Sequence, residues 1–128
     1  MNQDLQYLKR LENWSEKYEF ILELGQKLPL LKDNLKVNRN SVTGCQSRVW
    51  LILTWQNDLL HIQTEADSRL VQGLLALVVL VYESKSKVEI NQINSSWLKE
   101  FELDQHLSLT RRQGLQAVIN TILNFINF

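Results

Sequence analysis

The stretch from Leu70 to Tyr82 constrains this chain more than any other, because it has helical length and is apolar almost all round. Leu70, Val71, Leu74, Leu75, Leu77, Val78 and Val81 leave no broad polar face, so a helix here must be covered by other elements. Gln72 and Gly73 interrupt the run, and it falls short of the ~20 residues that a bilayer span needs. The covering must therefore come from protein. Asp67 or Ser68 is expected to cap this helix, with Asp67 as the first candidate. Gly73 inside it costs on the order of 1 kcal/mol relative to alanine unless it permits close packing.

The remaining patterns supply the cover. Leu5, Leu8 and Leu11 predict a short first helix. Asn13 with Glu16 forms a capping-box-like pattern that opens a second, with Tyr18, Ile21, Leu22, Leu24 and Leu28 on its apolar side. Pro29, the only proline, ends that helix near Leu28. Leu30 to Asn40 has no period and reads as a surface loop. Val49 to Trp55 is rich in Val, Ile, Leu and Trp and too short for a helix, so it reads as a strand. After a turn at Gln56-Asn57-Asp58, Leu60, Ile62 and Thr64 alternate with His61, Gln63 and Glu65, predicting an antiparallel, half-exposed partner. Ser41 to Thr43 is expected to add a short third strand. Helical turns follow from Ser86 with Glu89 and from Ser95 or Ser96, and a long last helix opens at Ser108 or Thr110. Strands segregated from helices give an α+β fold, with a small antiparallel sheet of about three strands packed against several helices. The 128 residues suit one domain, 1–128, and no Pro-, Gly- or Ser-rich linker divides them.

Fourteen basic residues balance fourteen acidic ones. That balance offers no general attraction to nucleic acid or to an anionic membrane surface. The N-terminus has no apolar signal core. A single cysteine excludes an internal disulfide and a Cys-rich zinc site, which fits a reducing cytoplasm.

That cysteine is the candidate for chemistry. By default a lone cysteine is a small buried hydrophobe. Two features argue otherwise for Cys45: Gly44 places it in a turn, and Gln46, Ser47 and Arg48 follow it with polar character. Arg48 and the amides of the turn are expected to favour its thiolate. A cysteine-dependent hydrolase would need a histidine base. Only His61 and His106 exist; the first is expected to be solvated on the polar face of a strand, the second in a loop or cap. No ligand spacing supports a metal site from Cys45, a histidine and Asp67. The pair Arg111-Arg112 opposes the dipole at the start of the last helix, so it should be solvated or paired with an acid. The four tryptophans are expected in the core.

The segment Gly44-Cys45-Gln46-Ser47-Arg48-Val49-Trp50 resembles the cysteine motif of the SufE-like family. The likeness extends through Tyr18 with Ile21-Leu22-Glu23-Leu24-Gly25 and Lys27-Leu28-Pro29, through Asn40-Ser41-Val42, and through Ala66-Asp67 with Leu70-Val71-Gln72-Gly73-Leu74. It continues at Gln105-His106-Leu107-Ser108 and Arg111-Arg112-Gln113-Gly114-Leu115. Ser68-Arg69 departs from the pattern, standing where many relatives have small residues. The resemblance implies a sulfur acceptor that is not itself an enzyme and holds no cofactor. It would take persulfide sulfur onto Cys45 from a cysteine desulfurase, a pyridoxal-phosphate enzyme of the SufS or CsdA kind, and stimulate its turnover. The sulfur would pass to an iron-sulfur scaffold or another acceptor. Asp67 and Arg111 match residues near the cysteine turn in relatives, where they would hold it or steer docking. Free monomer is the default, and activation of a desulfurase by binding alone is the alternative.

Overall fold

The structure is a computed structural model and describes residues 2–128; Met1 lies outside them. Helix α1 (Gln3–Arg10) and helix α2 (Trp14–Lys27) open the chain. The Asn13 side chain accepts from the Glu16 amide at 2.9 Å and donates to the Glu16 carboxylate at 2.8 Å, so the expected cap forms. Leu28 is the C-cap, immediately before Pro29. Lys17 is buried, and its ammonium donates to the carbonyls of Leu8 and Leu11 at the end of α1. A side chain of one helix thus caps the C-terminal end of the one before it, adding to the Leu11 amide's bond to the Leu8 carbonyl.

The segment read as a featureless loop is more ordered than its composition suggests. It contains two 3-10 turns, Asp33–Leu35 and Asn38–Asn40, and Leu31 is buried. The cause lies far along the chain. The buried Glu65 carboxylate accepts from the Leu31 amide at 2.8 Å and pairs with Lys36 at 2.9 Å. That bond pushes Lys36 above its ordinary pKa.

Strands β1 (Val49–Gln56) and β2 (Leu59–Ala66) form an antiparallel hairpin, in register from Val49 opposite Ala66 to Gln56 opposite Leu59. Asn57 and Asp58 both have positive φ, which matches the twist a two-residue hairpin loop requires. The sheet has these two strands. The expected third, Ser41–Thr43, reduces to a single bridge between Ser41 and Trp50, because the chain turns away at Thr43 and Gly44.

Helix α3 (Arg69–Tyr82) is the buried helix, and its cap is Ser68, whose hydroxyl accepts from the Val71 amide. Asp67 does not cap it. Gly73 faces Gly25 of α2. A Cβ on Gly73 would lie 2.5 Å from the Ile21 carbonyl oxygen, and one on Gly25 would lie 2.6 Å from the Gly73 nitrogen. The two backbones meet with no room for a side chain, which is what offsets the poor helix propensity of Gly73. Gln72, also buried, accepts the Ala66 amide at 2.7 Å and ties the end of β2 to the helix.

Short helices α4 (Lys87–Asn91), α5 (Trp97–Glu100) and α6 (Leu103–His106) follow, α4 with the full capping box of Ser86 and Glu89. The turn at α6 carries no separate signal in the sequence. Trp97 is buried and donates to the Tyr82 hydroxyl at 3.1 Å, while Trp55 is partly exposed and stacks on Phe125. Helix α7 (Leu109–Ile126), capped by Ser108, buries Leu115, Val118, Ile119, Ile122 and Ile126. The architecture is α+β, with α3 enclosed by α2, the hairpin and α7. No helix among the described residues is long and apolar enough to cross a membrane.

Candidate functional site

The cysteine turn is closed at its base by hydrogen bonds and lies with its tip against α7. The Val42 amide donates to the Val49 carbonyl at 2.9 Å. On the other flank the Arg48 amide donates to the Asp67 carboxylate at 3.0 Å, and the Asp67 amide donates to the Arg48 carbonyl at 3.1 Å. Asp67 therefore clamps the exit of the turn to the junction of β2 and α3, instead of capping the helix. Between these ties Gly44 adopts φ +92°, a left-handed angle that side chains rarely take. A Cβ added there would also press on the Ala117 side chain of α7 at 3.3 Å. The glycine lets the chain reverse while lying against that helix.

Reversal at Gly44 turns Cys45 inward. The residue is half-buried, and its thiol donates to the Gly114 carbonyl at 3.5 Å. A Cβ on Gly114 would stand 3.5 Å from Sγ, at ordinary contact distance, so the sulfur packs directly over this position of α7 without needing the glycine. Beside the sulfur lies a pocket of about 180 Å³ between the turn, α3 and the first turns of α7. Val71, Leu74 and Val118 supply apolar lining, while Ser108, Thr110 and Arg111 line it from the start of α7.

This setting reverses the expected electrostatics of the thiol. Burial pushes the Cys45 pKa up. Arg48 does not lower it, because the guanidinium lies over the Trp50 ring, 5.2 Å from its centroid. At neutral pH the resting thiol thus ionises less than a free cysteine. The folded state holds this proton more tightly than the unfolded chain, so its contribution to stability is full below the ordinary thiol pKa and fades as pH rises through the raised one.

The sequence candidates separate into groups. Cys45, Gln46, Ser47 and Arg111 line one pocket, with Gln46 and Arg111 exposed; Gly44 shapes the turn; Asp67 and the Arg48 backbone close it. Arg111 and Arg112 are both exposed, and neither forms an ion pair among the described residues. The histidines stand elsewhere. His61 is not freely solvated but pairs with Glu83 at 3.2 Å. His106 sits in α6, stacked on Trp14 at 4.5 Å and 3.6 Å from Glu102. Neither histidine lines the cysteine pocket. Among the described residues no group of three or more His, Cys, Asp or Glu is placed to hold a metal. The pocket walls from α3 and the seat at Gly114 were not among the sequence candidates. No local signal in the sequence marks the seat, since a Cβ at Gly114 would meet the sulfur only at ordinary contact distance.

A family model described as "SufE: Fe-S metabolism associated domain" matches residues 2–126. In fold the chain is similar to a solution structure of a hypothetical protein from Thermus thermophilus, with a TM-score of 0.80 at 16% identity. That likeness covers 98% of this chain and 91% of the other.

Proposed function

The chain belongs to the SufE family, associated with Fe-S metabolism, and on that footing we propose that it is a single-domain sulfur acceptor acting through Cys45. The Cys45 thiolate attacks the outer sulfur of a persulfide held on the cysteine of a pyridoxal-phosphate-dependent desulfurase. The bond between that sulfur and the desulfurase cysteine breaks, and the desulfurase cysteine leaves as a thiolate, free to turn over again. Cys45 now carries the sulfur and passes it on for iron-sulfur cluster assembly or a related transfer. The protein is the carrier and not the enzyme, works as a monomer in the cytoplasm, and holds no cofactor of its own.

One observation supports this reading above others: a lone thiol sits at the tip of a turn whose backbone is tied at its base and which meets α7 through the thiol's long hydrogen bond to Gly114, beside a pocket that neither histidine lines. Exchange of sulfur between thiols requires an accessible thiolate and no histidine base. The raised pKa in the resting state fits a thiol that reacts once the turn leaves its seat on Gly114. Asp67 and Arg111 are the residues proposed to govern that release and the docking that triggers it.

Incubation with a cysteine desulfurase and L-cysteine, followed by intact mass measurement, tests the proposal. The expected result is gain of one sulfur, lost on reduction and absent in Cys45→Ala. No gain with any desulfurase of the same cell refutes it. Full stimulation of the desulfurase by Cys45→Ala would replace it with activation by binding alone.

A further inference from the structure

The pocket beside Cys45 is larger than its cargo. A persulfide adds one sulfur atom to Sγ, whereas the cavity measures about 180 Å³. That is many times the ~10–15 Å³ that a single water needs on the same measure, so a small organic molecule has room. The lining is also two-sided. Val71, Leu74 and Val118 give an apolar wall, as sheltering a sulfur would require, but the start of α7 adds the polar residues Ser108, Thr110 and the exposed Arg111. Shelter of one sulfur atom does not account for the surplus volume, and Arg111 at the cavity's edge is a solvated cation with no acidic partner among the described residues, free to take an anion. A guanidinium fork matches a carboxylate with paired hydrogen bonds.

We propose that this cavity admits a small thiol bearing a carboxylate, and that Cys45 hands its sulfur to that thiol as well as to protein acceptors. The proposal rests on the reading of Cys45 as a sulfur acceptor. In the step, the small thiolate attacks the outer sulfur of the Cys45 persulfide while its carboxylate lies on Arg111 and its carbon chain lies against Val71 and Val118. A new sulfur-sulfur bond forms to the small molecule and the bond from Cys45 Sγ to the outer sulfur breaks. Cys45 departs as a thiolate and takes up a proton from solvent, and the product is the persulfide of the small thiol. The transferred sulfur keeps its oxidation state, so no oxidant or reductant is consumed.

The test loads Cys45 of the full chain with inorganic polysulfide, without any desulfurase, and then adds mercaptopropionate, mercaptoethanol or cysteamine. Intact mass follows loss of the extra sulfur, and alkylation traps the small persulfide. With rates corrected for thiolate fraction, mercaptopropionate should saturate and exceed the neutral thiol by about tenfold, the effect of 1.4 kcal/mol of added binding. Arg111→Gln should bring it down to the rate of the neutral thiol. As a readout that needs no loading, butanoate should slow alkylation of Cys45 by iodoacetamide saturably, and butylamine should not. Release linear in concentration and alike for all three thiols, or no protection by butanoate, overturns the small-thiol site. Because loading is chemical, failure to take sulfur from a desulfurase counts against the proposed function alone.

Discussion

Two glycine contacts in this protein differ by one ångström and serve opposite ends. Where α2 crosses α3, a Cβ on Gly73 would fall 2.5 Å from the Ile21 carbonyl oxygen; where Cys45 meets α7, a Cβ on Gly114 would fall 3.5 Å from the sulfur. The first contact is backbone on backbone and has no slack. The second is side chain on backbone, at ordinary van der Waals distance, with a cavity beside it. The contrast locates stiffness and freedom in the molecule: the α2–α3 crossing has no slack, whereas the cysteine turn has its backbone ties at its base and meets α7 through ordinary contacts and one 3.5 Å thiol hydrogen bond.

The comparison can be broken most forcefully at the crossing. Gly73→Ala forces α2 and α3 apart and should cost about 1–3 kcal/mol, the usual range for overpacking a filled core. A denaturant melt within experimental error of the wild type would show that the crossing has slack after all. A smaller effect is expected at the clamp. Asp67→Ala removes the acceptor of the Arg48 amide at an exposed site, so a loss of about 0.5–1.5 kcal/mol is expected. Its sharper signature is local: faster exchange of the Arg48 amide and faster alkylation of Cys45. Unchanged exchange there would mean that the turn is held by something other than Asp67. The smallest effect belongs to Gly114→Ala, where a methyl group fits and a helix gains up to ~1 kcal/mol from the better helix former. Stability should hold or rise slightly, with Cys45 alkylation within about twofold of wild type, since a methyl at contact distance blocks nothing. A large loss of stability there would erase the distinction between the two glycines.

Much of the fold was readable because its signals are local. The cap at Asn13, the stop at Pro29, the Ser86–Glu89 box and the alternation in β2 each fall within a few residues, and each element forms where they predict. What escaped depends on residues distant in sequence. Leu31 is buried because Glu65 binds its amide. Asp67 precedes a helix and has the chemistry of a cap, yet its carboxylate serves Arg48 while the neighbouring Ser68 takes the cap. The Ser41–Thr43 strand fails because the turn at Gly44 begins too soon for more than one bridge. At the candidate site, the turn at Gly44 and Cys45 forms where the sequence places it, but the thiol's surroundings differ from those expected. Arg48 lies inside the cysteine motif in sequence but on Trp50 in space, and only the packing of α3 and α7 reveals that the sulfur faces apolar walls.

The seat of Arg48 has an optical consequence. Trp50 is buried and lies beneath two cations, the Arg48 guanidinium at 5.2 Å and the Lys36 ammonium at 5.8 Å from its ring centroid. Arg48 is also the last residue of the cysteine turn, so a turn lifting from α7 pulls at a charge resting on an indole. The emission colour of that indole depends on the field across it. With Trp14, Trp55 and Trp97 replaced by phenylalanine, the chain would carry its own lamp at the hinge of the turn, lit from within and read without a label.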